Sequence, residues 1–142
     1  MKKPLINEWL EEAKKSPDAK KCGMFLFHNG VVREDAKVKV RYADFRAEPV
    51  ISMDFTHDEE KVKEAIEQTY KMEGIYHVKV WLNEGRIKVG DDLMYVLVGG
   101  DIRPHVIAGL NFLVDKLKNE CVFEQENYKT KKSNKGLFFN IK

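Results

Sequence analysis

Apolar positions along the first fifteen residues recur at helical spacing. Ile6, Trp9, Leu10 and Ala13 fall on one face of a segment from Leu5 to Lys15, which predicts an amphipathic helix. Pro4 stands where a helix start tolerates proline, and Ser16-Pro17-Asp18 supplies the stop. The pattern then changes. Cys22 to His28 (CGMFLFH) is an apolar run of strand length, and Asn29-Gly30 reads as a turn after it. Within Val31 to Tyr42, Val38, Val40 and Tyr42 alternate with Lys37, Lys39 and Arg41, a second strand pattern. Val50 to Phe55 (VISMDF) predicts a third.

Thr56 followed three residues later by Glu59 has the form of a capping box, opening a helix that runs to about Glu73. Val62, Ile66, Thr69 and Glu73 define one side of it, and Ala65 and Tyr70 widen the stripe. Gly74 is the expected stop. From Ile75 to Leu82 the residues Tyr76, Val78, Val80 and Leu82 alternate as a strand does. Asn83-Glu84-Gly85 then reads as a hairpin turn into Arg86 to Val89. After Gly90-Asp91, the run Leu93 to Val98 (LMYVLV) is apolar on both faces and predicts a central strand. A helix follows Gly99-Gly100-Asp101, with Pro104 in its first turn and Val106, Ile107, Leu110, Leu113, Val114 and Leu117 as its apolar positions. It ends near Lys118 or Asn119. Cys121 to Phe123 predicts a short strand, Asn127 to Lys135 a polar loop, and Gly136 to Ile141 a last strand. Runs of strands between segregated helices point to an α+β fold, a mostly antiparallel sheet packed against helices.

A length of 142 residues suits one domain over the whole chain, long enough to bury a real core. With 43% hydrophobic and 34% charged residues, the composition is that of an ordinary globular protein. A net charge of +2 gives no electrostatic reason to expect nucleic acid or an anionic membrane as partner. No apolar run reaches the roughly 18 residues that span a bilayer, and Met1 to Leu10 is too polar for a signal peptide. Cys22 and Cys121 make neither a disulfide framework nor a metal site, so a cytoplasmic location with reduced thiols is expected. Both cysteines read as small buried hydrophobes. His28, His57, His77 and His105 lack ligand spacing, and no metal is expected.

Three segments, taken in order, resemble the family of the large, catalytic subunit of molybdopterin synthase, the MoaE family. Gly23 to Arg33 (GMFLFHNGVVR) is similar to the family's apolar strand and Gly-Thr-Val-Arg signature, with Val31 in place of the threonine. Val78 to Asp91 (VKVWLNEGRIKVGD) resembles a family segment with two glycine turns, and Arg103 to Lys118 (RPHVIAGLNFLVDKLK) the helix that follows a His-Arg pair and closes on Leu-Lys. The resemblance implies an α/β hammerhead-like fold and a homodimer. It also implies a small ubiquitin-like sulfur-carrier subunit as partner, and sulfur transfer from the carrier's thiocarboxylate to cyclic pyranopterin monophosphate. The pterin phosphate is the substrate, and no cofactor is implied. Carried over position by position, Lys118 matches the first active-site lysine, Arg33 the signature arginine near the substrate, and Arg103 the arginine of the His-Arg pair. Three positions depart from the pattern: Ile102 replaces the histidine of that pair, Glu124 a tryptophan, and Gln125 the second active-site lysine. Lys129 and Lys131, from the basic loop, are candidates to supply the missing ammonium and to hold substrate. The alternative is a family member without full chemistry that serves as a binding scaffold for the carrier.

The residue types suit the implied reaction. Arginine offers a fixed fork of donors to a phosphate. Lysine serves as a point charge or, once desolvated, as a proton-transfer group or nucleophile. Each also has a plainer reading: Lys118 as a dipole-stabilised helix end, Arg33 and Arg103 as solvated surface charges. Arg103 and Lys118 are 15 positions apart, roughly 22 Å along a continuous helix. A small pterin that uses both must take them from different subunits. The order of elements alone also admits a ferredoxin-like small-molecule sensor.

Overall fold

A computed structural model of the chain describes residues 2–36 and 48–128. Its elements run α1 (Ile6–Lys14), β1 (Met24–Val31), β2 (Val50–His57), α2 (Glu59–Tyr70), β3 (Ile75–Leu82), β4 (Gly85–Lys88), β5 (Asp92–Gly100), α3 (Arg103–Lys116), a π-helical turn (Leu117–Cys121) and β6 (Val122–Tyr128). The strands form two antiparallel three-stranded sheets, ordered β1-β5-β3 and β4-β2-β6. This is the α+β fold expected, and the split into two sheets removes the ferredoxin-like alternative, which needs a single four-stranded sheet.

β5 is the middle strand of the first sheet and is buried on both faces, as its unbroken apolar run predicts. One face carries Val96 and Val98 into the main core with Val78, Leu82, Val106, Leu113 and Leu117, under α2 and α3. The other carries Tyr95 and Leu97, which pack with Trp81 against Trp9 and Ala13 of α1. Burying an aromatic or branched side chain of this kind contributes roughly 1.5–3 kcal/mol. The main core continues into the second sheet through Val50, Met53, Phe55, Ile87 and Val122. One hydrophobic body therefore holds both sheets and α3 in fixed relation.

The structure corrects several expectations. Asn29-Gly30 is not a turn: both residues lie in β1, opposite Tyr95 and Met94. Gly30 is there because a methyl at its position would come within 2.9 Å of Met94 Cγ. The capping box at Thr56 does not form, because β2 continues to His57, opposite Val122 of β6. Asp58 caps α2 instead, accepting from the Glu60 and Lys61 amides at 3.0 and 3.3 Å.

Nor is the segment from β3 to β4 a hairpin. Asn83 is still bonded to Leu93 of β5, and its side chain accepts from the Glu84 amide. Gly85, at φ +95°, then turns the chain out of the first sheet, and β4 pairs with β2. There Ile87 lies opposite Met53 and enters the core, burial that a hairpin on the edge of β3 would not give. β6 is longer than predicted and takes in Asn127 and Tyr128, which had been read as loop. The alternating stretch Lys37–Tyr42, most of the basic loop and the last predicted strand lie outside the described residues, as do Lys129 and Lys131.

Candidate functional site

The position of α3 on the first sheet decides where the predicted site residues go. A methyl at Gly100 would lie 2.8 Å from Val106 Cγ2, and one at Gly109 would lie 3.6 Å from Val98 Cγ1. The helix therefore runs back along β5, with Val106 over Gly100 and Gly109 over Val98. Lys118 lies beyond the end of α3, and its positive charge bears on His28 of β1. Arg33 follows Gly30 of that strand by three residues. Its neighbour Val32 is pinned by hydrogen bonds to Asp91 and Gly90, at 3.0 and 2.8 Å. Arg33 therefore stands just past the end of β1, and Lys118 bears on His28 of that same strand.

Lys118 does not lie on a regular helix face. α3 ends at Lys116, and the π turn inserts an extra residue before β6. Of the apolar positions expected on this helix, Ile107 is exposed, at 41% accessible. The buried stripe is Val106, Gly109, Leu113 and Leu117. Lys118 itself is half-buried.

His28, one pair back from Gly30, faces the same core as Val96, its partner on β5. It was not singled out from the sequence as a site residue. Its Nε2 is buried and, among the described residues, has no hydrogen-bond partner. Burial holds its imidazole below the ordinary value, and the positive charge of Lys118 lowers it further. The signal in sequence was its alternation with Leu26 and Gly30 on one face of β1, two residues short of the glycine turn that was wrongly placed there.

Arg103 is at the far end. It is the first residue of α3 and is exposed, next to Ile102, the exposed residue in the family's histidine position. Asp101 accepts from the Ile102 amide at 2.6 Å and pairs with His105 Nδ1 at 2.7 Å, and His105 Nε2 lies 3.4 Å from Glu73. The hydrogen bond to His105 holds the Asp101 carboxyl below the usual range. Gly99 and Gly100 belong to β5. The chain by itself does not bring Arg103 to Lys118.

β6 carries the other two departures. Gln125 lies opposite Asp54, and Glu124 opposite Phe55, both buried. Arg86 forks onto Asp54 at 2.8 and 3.2 Å and holds that carboxyl low, and Asn127 also donates to it. Gln125 therefore lies opposite a carboxylate that Arg86 and Asn127 already hold. Tyr128 donates to Glu126, and burial pushes its hydroxyl up to about 12. The Cys121 thiol, also buried, is pushed up to about 11, which suits a packing residue better than a nucleophile.

A groove of about 600 Å³ opens along β3, the other edge of the first sheet, between His57, Lys63, Leu82 and Glu84. None of the predicted site residues lines it. Among the described residues no helix is long and apolar enough to cross a membrane.

Comparisons with known proteins follow the same lines. Residues 3–120 match the family model described as MoaE protein. A structure of molybdopterin synthase from Staphylococcus aureus superposes with a TM-score of 0.69 at 14% identity, covering 89% of this chain and 88% of that one. A molybdopterin biosynthesis MoaE protein from Burkholderia ambifaria gives 0.67 at 19% identity, with 91% and 80% covered. A complex of subunits 1 and 2 of the molybdopterin-converting factor from Helicobacter pylori gives 0.62 at 17% identity, with 93% and 85% covered. At these identities the likeness is one of fold. A search of curated protein sequences finds no match.

Proposed function

The chain belongs to the MoaE protein family, which serves molybdenum cofactor biosynthesis as the catalytic subunit of molybdopterin synthase, and from that premise we propose that it transfers sulfur to cyclic pyranopterin monophosphate. The sulfur comes from a thiocarboxylate on the last glycine of a small ubiquitin-like carrier, and two transfers give the dithiolene. The observation that supports the reading is that Lys118 is half-buried on the π turn, with its charge bearing on β1, the strand that leads to Arg33. Partial burial is what a lysine needs to act as more than a solvated charge. Arg33 is the fixed fork for the substrate phosphate. Arg103, at the other end of α3, serves the site of a second subunit in a homodimer. Lys129 and Lys131 are proposed to add positive charge over the substrate. The Helicobacter pylori complex supports a small-subunit partner for this chain as well.

A second reading has its own observation. Gln125 is buried opposite Asp54, where the family pattern has a second lysine. A chain without that ammonium could grip the carrier and leave the pterin unchanged. Reconstitution separates the two readings. The protein is mixed with thiocarboxylated carrier and the pterin phosphate, and both carrier binding and dithiolene formation are followed. Product supports the transferase. Stable carrier binding with no product, across several candidate carriers, leaves the scaffold, and no binding at all contradicts both.

A further inference from the structure

β1 closes the first sheet on the side away from β3, and among the described residues no strand pairs with its outer edge. Protein edges are usually blunted by a lysine, a proline or a bulge. From Met24 to Asn29 (MFLFHN) this strand has none of these, and its register shift comes only after Gly30. Asn83 donates to the Leu93 carbonyl, so on β5 the backbone groups of Leu93, Tyr95, Leu97 and Gly99 point to β3. Their partners on β1, Asn29 for Tyr95, Phe27 for Leu97 and Phe25 for Gly99, therefore point theirs outward. The result is a short open ladder centred on Phe27.

α3 covers β5 and β1 and carries a second apolar flank. His105 reaches Glu73, just past α2, and Lys116 lines a cleft with Lys61 and Glu64 of α2, so that flank faces α2. Ile107, Leu110 and Val114, spaced by three and four, lie on the flank turned away from α2. Ile107 is exposed, and Leu110 and Val114 are half-buried. Arg103 precedes this stripe by four residues and Lys118 follows it by four. The ladder and the stripe share a centre. Gly109 lies over Val98, whose partner on β1 is Leu26. The next residue on the helix is Leu110, midway between Arg103 and Lys118, and the next on the strand is Phe27.

Building on the homodimer of the transferase reading, we propose that a second copy of the chain docks here, on a twofold axis through Phe27 and Leu110. The axis pairs Phe27 with its counterpart and Phe25 with the partner subunit's Asn29, and it joins the two β1-β5-β3 sheets edge to edge. The two α3 helices then run antiparallel, two to three strand spacings or roughly 10–14 Å apart, and their apolar flanks close over the paired strands. Arg103, seven residues before the axis, comes to the level of the partner's Lys118, eight residues after it. Two cations converging in this way repel each other unless an anion lies between them, which is what a phosphate-bearing substrate supplies. One contact face thus accounts for the open strand, for the second apolar flank of α3 and for the separation of Arg103 from Lys118 within one chain.

Two measurements on the full chain test this. The first is sedimentation equilibrium. The wild type should be a dimer, and Ile107→Asp should weaken it roughly tenfold or more, since the change buries a carboxylate in the contact. Ile51→Asp, at an exposed apolar residue of the second sheet, should leave the dimer unchanged. The second is cross-linking in a Cys22→Ser background, where the remaining native thiol, Cys121, is buried. Asn111→Cys, exposed and next to the axis, should link to its counterpart through a bis-maleimide of roughly 10–14 Å reach. Glu67→Cys, exposed on α2, should not. The cross-link gives the answer even if Ile107→Asp folds poorly, as judged by its melting curve. A monomeric wild type, a folded Ile107→Asp that dimerises as before, or a dimer without the Asn111 link each overturns the proposal and leaves sulfur transfer itself to be judged by reconstitution. A dimer linked through Asn111 that binds carrier and forms no product contradicts the transferase reading and supports this contact face.

Discussion

His28 and His77 share a condition that has consequences for the whole chain: each imidazole is partly buried and, among the described residues, neither Nε2 has a hydrogen-bond partner. Burial is the larger cause that keeps both below the ordinary value, with Lys118 adding to it at His28 and Lys79 at His77, where Glu12 opposes. An unfolded histidine titrates near about 6.5. Between that value and the depressed folded one, the unfolded chain binds more protons than the folded chain. Their contribution to stability is therefore complete above about pH 6.5 and is lost as pH falls through the folded values. Urea unfolding at pH 7.5 and pH 5 should show a loss in acid that shrinks in a His28→Gln, His77→Gln double variant. An equal loss in both proteins contradicts this. Neither histidine was legible as a titrating site, because the sequence shows four histidines without ligand spacing and not which faces they share. Lys118 was singled out through the family motif, and its setting was not legible. The π turn that half-buries it has no mark in the local apolar pattern.

At the scale of elements, long periodic runs were read well and their ends less so. The central strand β5 and helix α3 follow from apolar runs that no competing pattern disturbs. The ends were decided by packing. Thr56-x-x-Glu59 and Asp58 both fit a helix start, and Asp58 wins because β2 is held one residue further by β6. Asn83-Glu84-Gly85 has turn chemistry, yet which sheet receives β4 depends on Ile87 reaching the core beside Met53, a long-range choice that the local sequence does not contain. The close seating of α3 rests on Gly109, where a methyl would come within 2.7 Å of the flexible end of Ile75. Gly109→Ala should change stability little, since a helix-propensity gain of up to about 1 kcal/mol offsets the small shift of Ile75. Gly109→Leu should cost about 1–3 kcal/mol by overpacking, read as a melting temperature lower by several degrees. A leucine variant as stable as the wild type contradicts the close packing of helix on sheet.

The whole molecule raises the question of how its two ends cooperate. α3 separates Arg103 from Lys118 by roughly 20 Å of helix, more than a small pterin can bridge. If both serve one site, each site takes Lys118 from one protomer and Arg103 from its partner. Lys118→Met and Arg103→Ala are then each inactive as homodimers, whereas their mixed dimer holds one intact site of two. Unfolding and refolding the two variants together should restore about a quarter of wild-type activity, the share expected from random pairing in a twofold dimer. A mixture as inactive as its parents contradicts the shared site. The fold and the family could be inferred from three ordered motifs. The composite site was reached from helix length alone. The central claim, that Lys118 marks the place of sulfur transfer, is tested most directly by the mass of the pterin after reaction with at least two equivalents of thiocarboxylated carrier. The wild-type chain should yield a pterin carrying two sulfurs, and Lys118→Met, folded and still binding carrier, should yield none. The same two-sulfur product from Lys118→Met would contradict the claim.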